Sequence, residues 1–376
     1  MQHKSISYSI HHVLQELQWH ELKHIQTTKR RVTKTWFVVS NYDSLGENKY
    51  LYNTFKTVTV IFAAMRVFRN LDQLPQFSNA VITIGTFDGV HNGHKVIIRN
   101  IVQSAKENDG ESVIITFHPH PRNIINPQQA LLHLNTIEEK LALLKDMGVD
   151  NVVVVPFSRE FSEMEAEDYI KDFLIGKFQP KIIVFGYDHR FGKDRRGDIH
   201  LLKAIAKLDN ITVHEVGKQE ISDITISSTK IRNYLKEGNL HLANELLGYN
   251  YMMSGIVVRG DQIGRELGYP TANLQIQDTE KLIPANGIYA VKVSIRQNSN
   301  LFYGMMSIGT RPTFDGTDTR IEVHIFQLQE DIYGDTLTVE FIEFIRKEEK
   351  FINRETLQQA MAQDKEFCEI LFDNSF

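Results

Sequence analysis

From residue 65 onward, apolar positions recur at two different spacings. Short apolar runs, Val81 to Ile84, Val113 to Phe117, Val152 to Val155, Ile182 to Phe185 and Ile211 to Val216, read as strands. Between and after them lie amphipathic stretches at helical spacing: Lys95 to Asn108, Ile137 to Met147, Ala166 to Phe178, Ile199 to Leu208, Ser228 to Glu237 and Leu240 to Leu247. Strand and helix in alternation predict a parallel sheet covered by helices, an α/β doubly wound domain. Gly248 stands where a C-cap would end the last helix and set a boundary. Beyond it the runs become short and β-like: Tyr251 to Val258, Tyr289 to Ile295, Phe302 to Ile308, Ile321 to Gln327 and Leu337 to Ile345. Turn residues at Asn286-Gly287, Asp315-Gly316 and Tyr333-Gly334-Asp335 punctuate them, as in a small barrel or sandwich, and Glu355 to Phe372 reads as one closing helix.

Residues 1 to 64 follow neither spacing. They hold both tryptophans, Trp19 and Trp36, no proline and one glycine, Gly46. Their eight basic and four acidic residues give +4 where the whole chain carries −5, leaving −9 for the rest. With little turn punctuation to frame elements, this segment reads as an extension added to two domains, a small regulatory domain being the alternative. The segments expected are therefore 1–64, 65–248 and 249–376.

Composition narrows the class of molecule. Apolar content of 42% and charge of 24% suffice for buried cores and argue against wholesale disorder. A net charge of −5 supplies no broad basic field, so nucleic acid is not an expected partner. The single cysteine, Cys368, leaves no intrachain disulfide framework and fits a reducing cytoplasm. Val58 to Met65, the best apolar candidate for a span, falls far short of the roughly 20 residues a bilayer needs, so no membrane partner is expected. A homo-oligomer stays open.

The chemistry concentrates in two places. Gly85-Thr86-Phe87-Asp88-Gly89-Val90-His91-Asn92-Gly93-His94 follows a predicted strand and opens a predicted helix. In an open α/β sheet ligands bind at that junction, where glycines let backbone approach phosphate and a helix start offers unpaired N–H groups. Two histidines three residues apart could both face one phosphorus centre there. In the second half, Gly255 to Leu274 joins a β run to a glycine-rich loop containing Gly264, Arg265 and Gly268. It lacks the GxxxxGK[ST] pattern, yet repeated glycine beside arginine suits a flap over phosphate. Glu322 alternates with Ile321, Val323 and Ile325, so the pattern alone also fits an outward strand carboxylate.

The first string resembles the HxGH signature of the nucleotidylyltransferase superfamily, in the form its flavin branch carries. Thr116-Phe117-His118-Pro119-His120-Pro121, Phe185 to Gly192 and Ile226-Ser227-Ser228-Thr229-Lys230-Ile231-Arg232 match that branch in the same order. His189 departs from it, since relatives often carry an aromatic residue there. The second half, from about Tyr249, is similar to riboflavin kinase modules through Gly255 to Leu274, Gly304 to Phe314, Glu322 to Phe326 and Asp331 to Gly334.

The resemblance as a whole is to bifunctional bacterial riboflavin kinase and FMN adenylyltransferase enzymes. It implies a Rossmann-like domain, then a six-stranded antiparallel barrel with a terminal helix. It also implies riboflavin, FMN and FAD as substrates and products, with ATP as co-substrate and Mg²⁺ as cofactor. By resemblance His91 and His94 steady charge at the α-phosphate. Gly85, Phe87, Asp88, Gly93, Asp188, Ser228, Thr229 and Arg232 line that nucleotide site. Glu322 is the kinase base, Gly264 and Arg265 belong to its phosphate flap, Thr271 and Asn273 hold metal and ATP phosphates, and Arg346 and Phe351 wall the flavin. A nucleotidylyltransferase for another phosphate ester and a non-catalytic flavin sensor are the alternatives.

A chain beginning at Met65 is expected to keep both implied activities and lose all tryptophan fluorescence. Emission spectra and chromatography of flavin products check this. An insoluble or inactive product would make the first segment part of the fold.

Overall fold

A computed structural model describes residues 25–28, 31–38, 56–62, 64–186, 189–217, 226–260, 263–295, 301–313 and 316–373. Met1–Met65 and Arg66–Phe376 form two separate compact units. In the first, strands β1 (Ile25–Thr28), β2 (Arg31–Val38) and β3 (Lys56–Phe62) make an antiparallel sheet in that order. Regular structure here was not expected. The Val/Thr/aromatic character of Arg31–Val38 and Lys56–Phe62 accounts for it, because such side chains favour extended backbone.

The second unit begins with β4 (Arg66–Phe68) and continues through β5 (Val81–Ile84), β6 (Ser112–Phe117), β7 (Asn151–Val155), β8 (Ile182–Gly186) and β9 (Thr212–Val216). All pair in parallel, in the order β4-β7-β6-β5-β8-β9. The chain leaves β5 toward β6 and β7, then returns to place β8 on the other side of β5. That reversal creates a switch point at the carboxyl ends of β5 and β8, the site an open sheet offers to ligands. The helices used below are α1 (Asn92–Glu107), α2 (Pro121–Ile125), α3 (Ile137–Asp146), α4 (166–178), α5 (Ile199–Leu208), α6 (Ser228–Glu237) and α7 (Leu240–Leu247). Within α4, Tyr169–Ile175 is π-helical. One core on the sheet joins Ile82, Ile115, Val153, Phe173, Phe185 and Leu202.

The barrel closes in the order β10-β11-β14-β13-β12-β15, every pairing antiparallel. Its strands are β10 (Met252–Val258), β11 (Ala272–Gln275), β12 (Gly287–Ile295), β13 (Leu301–Thr313), β14 (Gly316–Ile325) and β15 (Thr336–Arg346). The short helix α8 (Ile263–Glu266) precedes β11. Helix α9 (Arg354–Asp373) closes the chain and packs Cys368 and Phe372 against Ala290 and Met305 on the barrel's outer surface.

The barrel interior does not stop at the barrel. Tyr251, Val291, Met306 and Phe341 share one hydrophobic cluster with Leu134, Ile231, Leu235 and Leu247 from the α/β part. Helices α6 and α7 thus bury their apolar stripes against both modules, fixing their relation through apolar burial. Among the described residues, no helix is long and apolar enough to cross a membrane. Leu134→Ala, which opens a cavity in this shared cluster, is expected to cost about 2–5 kcal/mol. Denaturant titration followed by both activities checks it, and the two should fail over the same range.

Candidate functional site

The first site is built on the turn between β5 and α1. Phe87 (φ 46°), Gly89 (φ 88°) and Val90 (φ 37°) all adopt left-handed backbone, which is costly for Phe and Val and persists where the surroundings impose it. Gly89 is doubly required, because a Cβ there would lie 2.6 Å from Leu134 Cδ1. His91 is the N-cap of α1, its Nδ1 accepting from the His94 N–H at 3.3 Å. That bond leaves Nε2 as the protonated nitrogen of a neutral ring. The His91 and His94 rings stack at 3.6 Å, and Phe87 meets His94 edge-on at 5.4 Å. Gly93 is buried in the first turn of α1. Among the described residues His94 Nδ1 is buried with no hydrogen-bond partner, an orphan that a bound polar ligand would satisfy.

Asp88 organises the turn. One carboxylate oxygen accepts from the Leu134 N–H at 2.9 Å, and the other pairs with the Arg232 guanidinium, both side chains nearly buried. Arg232 Nε donates to the Leu132 carbonyl at 2.8 Å. Ser228 Oγ donates to the Asp88 carbonyl at 2.8 Å, so the start of α6 is drawn to the same turn as the start of α1. Thr229 stands exposed in the first turn of α6. Gly85 packs under the Phe87 ring. Two helix starts therefore aim partial positive charge at one place. The structure brings together His91, His94, Asp88, Ser228 and Arg232 from the residues singled out by sequence; Asp188 lies outside the described residues.

Of the other groups there, Thr116, His118, His120 and His189 fall in the matched strings, whereas Lys140 and Tyr249 carried no chemical signal in sequence. Lys140, buried on α3, donates to the Thr86 carbonyl at 2.7 Å, and burial holds its pKa below the ordinary lysine range. Thr116 Oγ1 donates to the same carbonyl at 3.2 Å. Tyr249 OH donates to the Gly89 carbonyl at 2.7 Å. A recess beside the turn is lined by Asp88, His118, His120, His133, Asn135 and Lys140. His189 packs edge-on against Phe185 at 4.6 Å.

The second site lies on the outer face of the barrel. Glu322 does alternate with buried Ile321, Val323 and Ile325 and is half-buried. Thr271 Oγ1 donates to Glu322 Oε2 at 3.0 Å, and Asn273 is the residue opposite Glu322 across β11 and β14. A Cβ on Gly260 would collide with the Asn273 side chain, and one on Gly264 would lie 2.3 Å from the Tyr269 carbonyl. Glycine is what lets this loop fold so tightly. Gln358 of α9 donates to the Leu267 carbonyl at 3.3 Å, holding the loop from outside. Arg265, Thr271, Val257, Val323, Asp331 and Tyr333 line a cleft of about 370 Å³, within the usual range for small-molecule sites. Arg346 forms a two-pronged ion pair with buried Asp364 of α9 (2.8 and 2.7 Å), and its guanidinium lies 5.6 Å from the Phe351 ring centre.

Paired helix starts at a strained turn suit polyphosphate directly, and an oxygen-rich patch under a glycine loop suits a cation that accompanies it, features that fit a two-module transferase using nucleotide substrates. The FAD synthetase family model matches residues 74–230, and the riboflavin kinase model matches residues 247–372. A bifunctional riboflavin kinase/FMN adenylyltransferase of Buchnera aphidicola subsp. Schizaphis graminum is 36% identical, over 82% of this chain and 99% of the relative. The enzyme of that name from Escherichia coli K12 is 34% identical, over 80% of this chain and 95% of its own. A solved structure described as a macrolide-efflux protein from Streptococcus pneumoniae matches with a TM-score of 0.72 at 32% identity, covering 81% of this chain and 99% of that one. The chain belongs to the bifunctional riboflavin kinase/FMN adenylyltransferase family, whose two activities lead from riboflavin through FMN to FAD.

Burial lowers the His91 pKa to about 4 against the pull of Asp88, lowers His120 to about 4, and holds His94 well below the ordinary histidine value. The unfolded chain therefore binds protons that the folded chain refuses, and stability present above the unfolded value of 6.5 is lost as pH falls toward about 4. His91→Gln is expected to lose less stability than wild type across that window. Denaturant midpoints measured at a series of pH values check it.

Proposed function

We propose that the 85–94 turn is the adenylyltransferase centre and that the Thr271–Glu322 patch is the kinase centre. The orphaned His94 Nδ1 between two converging helix starts carries the first assignment. FMN brings an already ionised phosphate to the α-phosphorus of ATP, so no strong base is needed. Neutral His91 and His94 donate N–H bonds to oxygens on which charge builds. Ser228, Thr229 and Arg232 hold the departing β- and γ-phosphates, Arg232 doing so while Asp88 anchors one edge of its guanidinium. Gly85, Phe87 and Gly93 shape the backbone cradle, and Asp188 contacts the nucleotide or flavin.

The kinase reaction differs in its proton. Riboflavin's 5′-hydroxyl must lose one as it attacks the γ-phosphorus, and Glu322 takes it. The Thr271 hydroxyl donates to that carboxylate and fixes the oxygen that will accept. Gly264 and Arg265 close over phosphate, and Arg346 with Phe351 walls the flavin. Mg²⁺ belongs to this reading. A hydroxyl, an amide oxygen and one carboxylate are hard oxygen donors, a set that suits a cation completing its shell with phosphates and water. Thr271 and Asn273 would hold it, and it would supply positive charge to offset that of the ATP phosphates.

Domain limits at 65–248 and 249–376, a cytoplasmic setting, and small molecules as the partners complete the proposal. Glu322→Gln is expected to lower riboflavin phosphorylation by about 10²- to 10⁴-fold while adenylylation of supplied FMN continues unchanged. Steady-state rates for each half-reaction check it. Phosphorylation within a few-fold of wild type, on the order of the smallest base effects, would return Glu322 to an ordinary strand carboxylate.

A further inference from the structure

Lys281 stands in the connection between β11 and β12, its side chain fully buried at 0% exposure. Its ammonium donates to the Leu134 carbonyl at 2.7 Å, the Met252 carbonyl at 2.7 Å and Glu139 Oε2 at 2.5 Å, and lies 4.5 Å from the Tyr251 ring centre. Glu139 is in the first turn of α3, where it accepts from the Thr136 N–H as half of a capping box. Its Oε1 accepts from the Ser254 N–H of β10 at 3.0 Å. A buried ion pair with every group engaged thus crosses from the barrel to the α/β module. Such pairs are expensive to desolvate, and apolar residues would hold the modules together as well. What the charges add is orientation.

The pair reaches the adenylyl-transfer turn by two short routes. The Leu134 residue whose carbonyl Lys281 holds gives its own N–H to Asp88, three residues before His91. Glu139 precedes Lys140, which holds the Thr86 carbonyl. The barrel backbone reinforces the first route: His133 N–H donates to the Glu280 carbonyl at 2.6 Å, and Leu282 N–H to the His133 carbonyl at 2.8 Å. Glu280 adds side-chain bonds to His133 and Asn123, each 2.8 Å. The Thr271–Glu322 patch lies on β11 and β14, which supply none of Lys281's partners.

We propose that Lys281, with Glu139, is a positioning residue for FMN adenylylation supplied by the kinase module: it fixes the 132–135 segment that holds Asp88, and through it the His91 and His94 rings. This rests on the reading of the 85–94 turn as the adenylyl-transfer centre. The two modules are then one catalytic device for the second reaction and separable for the first.

The test is the full-length double variant Lys281→Met with Glu139→Gln, which removes both charges so that neither is left buried alone. Displacing the turn should lower the turnover of FMN adenylylation about ten-fold or more, with riboflavin phosphorylation within about two-fold. ATP binding by calorimetry should keep the wild-type stoichiometry, showing that both nucleotide sites are still folded. Unchanged adenylylation overturns the proposal. A loss matched by an equal fall in ATP stoichiometry also overturns it, because the pair would then only hold the fold. His94→Ala in parallel tests the site itself: if it adenylylates FMN at the wild-type rate, the reading of the turn fails, whatever the ion pair does.

Discussion

The carboxylate of Asp88 is the constraint on which the 85–94 turn is built. It is buried, it receives backbone N–H groups from the 134–135 segment, and it meets the guanidinium of Arg232. A buried carboxylate left without these partners would cost several kcal/mol, so the turn that carries it has little freedom to move. That rigidity sustains left-handed backbone at Phe87 and Val90, which an unconstrained loop would release. The start of α6 and the α3 lysine are held to the same turn through carbonyls of Asp88 and Thr86. Preorganised donors of this kind need no rearrangement when charge develops, which is where electrostatic catalysis gains most.

The barrel site uses a different economy of parts. Its interior cluster is apolar and shared with α6 and α7, and two of that cluster's members, Val257 and Val323, also line the cleft beside Arg265 and Thr271. The residues proposed for the kinase centre stand side by side, Thr271 just before β11, Asn273 on it and Glu322 opposite on β14. The loop folded over them is pinned by the terminal helix through Gln358 and through Arg354 with Glu266. A helix far along the chain thereby sets the roof of a site assembled from the middle of the barrel.

Much of this was legible in sequence because it is local. The strands β5 to β9, helices α5 to α7 and the Gly248 cap follow from apolar spacing and terminal residues within short windows. The HxGH string announced itself for the same reason. Helix α1 starts at Asn92, earlier than the apolar spacing from Lys95 suggested, because the His91 side chain caps it. Strands β4 and β11 escaped notice: one has three residues, and the other exposes or half-exposes all but Leu274. The partners that give the site its shape were beyond reach for a physical reason. Asp88 and Arg232 are 144 positions apart, and Glu139 and Lys281 are 142 apart, and neither pairing leaves a periodic trace.

Cys368 sits on the inner side of α9, fully covered by the barrel, and burial pushes its thiol up to about 12. Almost none of it is thiolate at neutral pH, and the thiolate is the form that oxidants and electrophiles attack. As the chain has no other cysteine, it offers oxidants no ready thiolate. A chain whose family makes redox cofactors thus keeps its one thiol sheltered from thiol redox chemistry.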